Sequence, residues 1–152
     1  MMSTRGWGIA LVAAAAGLAA PALTTAPATG ASPSPWLAPA SEKDVKNPVP
    51  AGPESLARGR DLFEKYCLAC HGEKGDGKGP LAIRLHFTAA DLTDAVGMTR
   101  QADGEIFWKI STGRDPMPSF KKDKGLPDAQ IWDLVNHVRT LAAGASGKPP
   151  SR

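Results

Sequence analysis

Cys67-Leu68-Ala69-Cys70-His71 is the stretch of this chain whose residue types and spacing can do chemistry. Two thiols separated by two residues can add to the two vinyl groups on one edge of a porphyrin. A histidine directly after them is then carried under the metal as an axial ligand. C-x-x-C-H is the pattern of covalent c-type haem attachment. The protein supplies anchors and axial ligands, and the cofactor supplies the redox chemistry. Three other readings use only the thiols. A thioredoxin-like pair belongs where a strand meets a helix in an alternating βα chain, a pattern absent here. A structural zinc needs four ligands, and His86 and His137 are too far apart to complete one. A disulfide is open to an exported chain. None of these explains His71. The expected cofactor is one haem c bound through Cys67 and Cys70, the only cysteines present.

A six-coordinate iron needs a second axial ligand from a segment passing around the porphyrin edge. The candidates are Met98, Met117, His86 and His137. Met117 stands between Pro116 and Pro118, which fix φ and remove N–H donors, so the loop is expected to stay extended and out of helix. That property suits a strap holding a thioether at fixed reach. His71 and Met117 are therefore the expected iron ligands. The competing role for Met117 is a gap-filling core side chain.

Three helices can position these groups. The first covers about Glu54 to Tyr66, with Pro53 and Glu54 suited to its start. Leu56, Gly59, Leu62, Phe63 and Tyr66 share one face. Gly59 costs about 1 kcal/mol in mid-helix, which makes sense if another helix crosses there at close range. The second covers about Gln101 to Thr112, with Ile106, Phe107 and Ile110 apolar and Gly113 as a stop. Trp108 flanks that stripe, against either the core or a haem edge. The third, about Asp128 to Ala142, carries Ile131, Leu134, Val135, Val138 and Leu141 on one stripe between Pro127 and Gly144. No stretch alternates as a strand does, so the fold class is all-α.

The 152 residues divide unevenly. Arg5 is followed by no charge until Glu42, and Ile9 to Ala20 is an alanine-rich apolar run closed by Pro21. A basic start, a short apolar stretch and small residues beyond it describe a secretory signal peptide over residues 1–28. The alternative is a retained anchor, although spanning a bilayer takes about 20 apolar residues. Export into an oxidising, periplasmic compartment fits the haem reading. Residues 29–52 are proline-rich and read as a linker or strap, with Trp36 either exposed or docked on the folded body. The domain is expected over 53–143 and a disordered tail over 144–152. A body of this size buries only about 60–65% of its surface, so a haem face would complete its core. The net charge of +3 is too small to argue for nucleic acid, and no basic stripe with interleaved aromatics appears.

These residues resemble the class I cytochromes c of the exported bacterial type, over about Pro53 to Ala143. Gly59 and Phe63 match the glycine and aromatic of the family's first helix. Cys67, Cys70 and His71 match the attachment motif, and Met117-Pro118 the distal ligand loop. Gly79-Pro80-Leu81 looks like the segment whose proline carbonyl accepts the proximal imidazole N–H, which implies that role for Pro80. Leu134 and Val138 fall on the last helix, which in the family crosses the first at the glycine. Two departures stand out: His137 replaces an aromatic, often tyrosine, on that helix, and Pro127 replaces its serine or aspartate cap. Asn47-Pro48-Val49-Pro50 resembles leader segments of small exported cytochromes.

With histidine and methionine both bound, the iron has no vacancy. Single-electron transfer is then expected, and catalysis at iron is not. The partners are redox proteins: a dehydrogenase or quinol-oxidising complex on one side, an oxidase or reductase on the other. A free monomer is expected, with membrane contact only through an uncleaved leader. The alternatives are a dedicated haem subunit of a dehydrogenase or oxidase complex and a haem gas sensor or peroxidase. Arg114, Lys121, Lys122 and Lys124 either ring an exposed haem edge and steer an acidic partner or form a solvated loop.

Overall fold

A computed structural model of the protein describes residues 35–146. The expected signal peptide, the first part of the linker and residues 147–152 lie outside this range. The described part is helical: a 3₁₀ turn at Ala40–Lys43, then α1 (Pro53–Tyr66), α2 (Leu68–His71), α3 (Pro80–Leu85), α4 (Ala95–Thr99), α5 (Asp103–Thr112) and α6 (Asp128–Ser146). Its only β feature is an isolated bridge between Arg114 and Met117.

The three long helices fall where the apolar spacing places them. Pro53 occupies the first turn of α1 and Glu54 its positive end. At α5, the Glu105 carboxylate reaches back to the Ala102 N–H at 2.7 Å, half of a capping box. The α6 helix differs from expectation at its end. It runs through Gly144 to Ser146, so residues 144–146 belong to helix rather than to a disordered tail. Pro127 opens it by lending its carbonyl to the N–H groups of Gln130 and Ile131, at 3.0 and 3.2 Å.

The α1–α6 crossing organises the core. A Cβ built on Gly59 would lie 2.1 Å from the Asp133 carbonyl oxygen and 2.8 Å from His137 Cβ, so only glycine admits this approach. Beside it, Phe63, Ile131, Leu134 and Val135 are fully buried. His137 takes the place of the family's aromatic and packs its ring on Phe63, centroids 5.3 Å apart. Burial pushes its pKa down; Arg60 pushes the same way and Glu64 opposes.

The α6 helix is buried on more than its apolar stripe. Trp132 stacks on Phe107 at 4.1 Å. Asp133 accepts from Ser55 Oγ at 2.6 Å and from Arg58 Nε and Nη2 at 2.8 and 3.0 Å. Asn136 donates to Ser55 Oγ and to the Val49 carbonyl, and accepts from Asn47 Nδ2 at 2.8 Å. This network satisfies polar groups that would otherwise be stranded in the core.

It also fastens the segment before α1, so residues 35–52 pack on the domain instead of forming a free linker, and the compact unit begins at Pro35. A second point of contact is Gly104 of α5, where an added Cβ would lie 2.1 Å from the Glu42 carbonyl. The third is Trp36, docked on Trp108 with centroids 6.3 Å apart.

Gly59→Leu forces a branched side chain into backbone and should lower unfolding stability by about 3 kcal/mol; denaturant titration checks this, and a loss under about 0.5 kcal/mol contradicts the crossing. His137 tests the pH dependence. Its folded pKa is depressed, so its stabilisation is present above the unfolded value of about 6.5 and is lost as pH falls toward the folded value. Between about pH 7.5 and pH 5 the native chain should lose more stability than His137→Phe, by under about 1 kcal/mol because the ring is only half-buried.

Candidate haem site

The α1 helix ends at Cys67, whose N–H bonds the Phe63 carbonyl at 2.8 Å. Its own carbonyl then accepts from the N–H of Cys70 and of His71, at 3.1 and 2.8 Å. The motif is therefore one further helical turn, with both thiols and the imidazole carried on its surface. The α3 helix closes against it at Gly79, where a Cβ would meet the Ala69 carbonyl at 2.4 Å. The Gly79 N–H holds the Cys70 carbonyl at 3.1 Å.

This turn forms one wall of a cavity of about 400 Å³. Cys67, Cys70 and His71 all line it, and so does Met117. The remaining walls are mostly apolar, from Phe63 and Tyr66 of α1, Ile106 and Ile110 of α5, and Leu134 and Val138 of α6. Protein interiors are close-packed with few voids larger than a water, and this volume lies in the range of cofactor pockets. The donor set fits a haem: two thiols for the vinyl edge, a nitrogen and a thioether for the iron, and apolar walls for the ring.

His71 Nδ1 lies 3.0 Å from the Ala90 carbonyl oxygen. An imidazole whose Nδ1–H donates to a carbonyl presents Nε2 to a metal. Burial pushes the His71 pKa down, and the Ala90 carbonyl partly offsets this. The expected acceptor, the Pro80 carbonyl, is not the one used. Pro80 is the exposed first residue of α3, where a carbonyl turns into the helix's own ladder. The 89–90 backbone comes close instead because Gly77, at φ +78°, leaves room for it; a Cβ there would lie 2.6 Å from the Ala89 carbonyl.

Burial, and then the neighbouring Cys70, push the Cys67 thiol up to about 12. A reactive redox pair needs the opposite shift, toward thiolate. Among the described residues no group of three or more His, Cys, Asp or Glu converges as a metal centre would, which leaves the zinc reading without ligands.

The Met117 loop is not the extended strap expected. It is a tight turn, closed by the Arg114 N–H on the Met117 carbonyl at 3.0 Å and the reverse bond at 2.8 Å. The Asp115–Pro116 peptide is cis, with Pro116 in the third position of the turn as in type VI geometry. Beyond it, the Phe120 N–H returns to the Ile110 carbonyl at 3.1 Å and the Ser119 hydroxyl to the Ser111 carbonyl at 2.6 Å. The turn is thus pinned at both ends to the close of α5. Met98 also lines the cavity and is buried, with Gln101 Nε2 3.8 Å from its sulfur. His86 caps α3 in the left-handed region and is exposed, and His137 faces Phe63. Sequence reasoning missed Ala90, a backbone acceptor that carries no residue signal, and the Trp36–Lys109–Arg114 group at the cavity.

Residues 54–138 match the family described as Cytochrome C oxidase, cbb3-type, subunit III. The chain is similar to the Cbb3-type cytochrome c oxidase subunit FixPc of Rhizobium leguminosarum bv. viciae, 26% identical over 97 residues, covering 63% of this chain and 31% of that protein. It is also similar to the Cbb3-type cytochrome c oxidase subunit CcoP of Azospirillum brasilense, 30% identical over 88 residues, covering 57% of this chain and 28% of that one. It thus spans less than a third of either relative's length. Among solved structures it is similar to a chain of the Kuenenia stuttgartiensis reducing HAO-like protein complex, with TM-score 0.52 and 27% identity over 64% of this chain and 49% of that chain.

Gly77→Ala should push the 89–90 backbone away from His71. Loss of a hydrogen bond of about 1 kcal/mol should speed exchange of the Nδ1 proton by roughly fivefold in NMR of the haem-loaded protein. An unchanged exchange rate would remove Ala90 from the proximal side.

Proposed function

The chain belongs to the cbb3-type cytochrome c oxidase subunit III family and has the all-α fold of a class I c-type cytochrome, and from that premise we propose that it passes single electrons between redox proteins through one covalently bound haem. The observation that carries this reading is the convergence of Cys67, Cys70, His71 and Met117 on one apolar cavity. One-electron exchange at iron is the chemistry that a haem held there supplies.

The residues divide the remaining work. Cys67 and Cys70 anchor through thioether bonds, so the domain cannot lose its cofactor. His71 offers Nε2, held in place through Nδ1 and Ala90. Met117 offers a thioether from a turn pinned to α5, and His/Met ligation raises the reduction potential. Phe63, Leu134 and Val138 exclude water, which disfavours the more charged oxidised site in the same direction. Filling both axial positions supports a carrier over a catalyst or gas sensor.

A second reading, a dedicated haem subunit of an oxidase complex, is favoured by the names of the two curated relatives. No helix among the described residues is long and apolar enough to cross a membrane. An anchor or a periplasmic location would depend on the leader, outside the described range. The basic loop after Met117 supports an acidic partner through Lys122 and Lys124, while Lys121 is paired with Asp128 at 2.7 Å. Stoichiometric co-purification with a larger subunit supports the second reading, and a free monomer supports the first.

Met117→Ala should keep covalent haem while becoming high-spin, binding external ligands such as CO, and falling in potential. A low-spin spectrum retained without added ligand would transfer the distal role to Met98, the other thioether at the cavity.

A further inference from the structure

The cavity wall is apolar except at one place. Lys109 and Arg114 are its only ammonium and guanidinium groups, and Trp36 of the N-terminal segment lines it beside them. The Arg114 guanidinium lies 5.1 Å and the Lys109 ammonium 5.8 Å from the Trp36 ring centroid. Two cations thus converge on one indole at the edge of an apolar cavity.

Like charges so placed repel, and half-burying Lys109 adds desolvation. Gln101 accepts a hydrogen bond from the ammonium, but a neutral amide cannot balance two positive charges. The negative groups nearby are Glu105, which acts on Lys109 from the same helix, and Asp115, which lines the cavity and is itself exposed. The remaining titratable side chains on the wall are His71, Cys67, Cys70 and Tyr66. The arrangement lacks a buried anion, and haem supplies two. Its vinyl edge is engaged by Cys67 and Cys70, which leaves its two propionate carboxylates for another part of the same cavity.

We propose that Lys109 and Arg114, closed over by Trp36, hold the haem propionates, and that residues 35–52 are a latched lid over that edge. This rests on the haem reading above. The lid lies outside the family-matched region, residues 54–138, so this chain adds it to the common domain. Its latches are the Trp36–Trp108 contact, the backbone approach at Gly104, and the Asn47–Asn136 hydrogen bond. Charge-assisted hydrogen bonds from the two cations offset the cost of burying the carboxylates. Their positive charge also disfavours the ferric state, raising the potential.

The test uses the haem-loaded full chain, with resonance Raman of the propionate bending band and redox titration at one fixed pH. Lys109→Met and Arg114→Gln should each shift the band and lower the midpoint, changing the ferric–ferrous equilibrium by up to about tenfold, about 59 mV for one electron. Lys109→Arg should restore both, and Trp36→Ala should shift the band. The charge-matched control Lys43→Met, on the exposed 3₁₀ turn, should do neither. Arg114 is exposed, so Arg114→Gln gives the reading even if Lys109→Met does not accumulate. A low-spin, covalently loaded protein whose band and midpoint in Arg114→Gln equal those of Lys43→Met overturns the proposal. A native chain that takes up no haem overturns the underlying reading instead.

Discussion

The backbone of α1 touches the backbone of α6 at Gly59 and Asp133, where no side chain can intervene. That contact fixes the angle and depth at which the two longest helices cross, and the cavity hangs from it. One turn further along α1 lies Phe63, and one more brings Cys67. One turn further along α6 from Leu134 lies Val138. The crossing therefore delivers the anchoring end of α1 and the apolar end of α6 to the same space. A loose crossing would let the attachment turn drift relative to Met117, whose own turn is held by α5.

Polar groups reinforce the crossing rather than competing with it. A buried carboxylate such as Asp133 is costly unless paired and hydrogen-bonded. Here Ser55 and Arg58 supply both, and Asn136 links the same cluster to Val49 and Asn47. At the other end of α6, Arg139 spans to Asp103 and to the carbonyls of Met98 and Gln101. One helix thus ties together the N-terminal segment, α1, α4 and the start of α5. For a domain this small, such ties compensate for an apolar core that a cofactor must complete.

The attachment turn, the long helices and the Gly59 crossing were legible because each has a local or periodic signature. C-x-x-C-H is a contiguous motif, and the i, i+3, i+4 stripes of α1, α5 and α6 are long enough to show their period. The α2, α3 and α4 helices, of four to six residues, are too short to carry one. Met117 was singled out by its flanking prolines, yet those residues make a tight turn and not an extended strap, because Pro116 takes an interior turn position. The proximal acceptor was misplaced on Pro80 because any backbone carbonyl can serve, and proximity was decided by Gly77 at positive φ. Trp132, Asp133 and Asn136 sit off the apolar stripe of α6. They are buried because α5 and the N-terminal segment cover faces that an isolated helix would expose.

The central claim is that this cavity holds one porphyrin tethered through both thiols. Haem stoichiometry after acidified-acetone extraction tests it most directly, on protein made in cells competent for cytochrome maturation. The account predicts one haem per chain that stays with the polypeptide, and none retained by the double substitution Cys67→Ala, Cys70→Ala. Haem that extracts into the solvent from the native chain, or no haem at all, would contradict it.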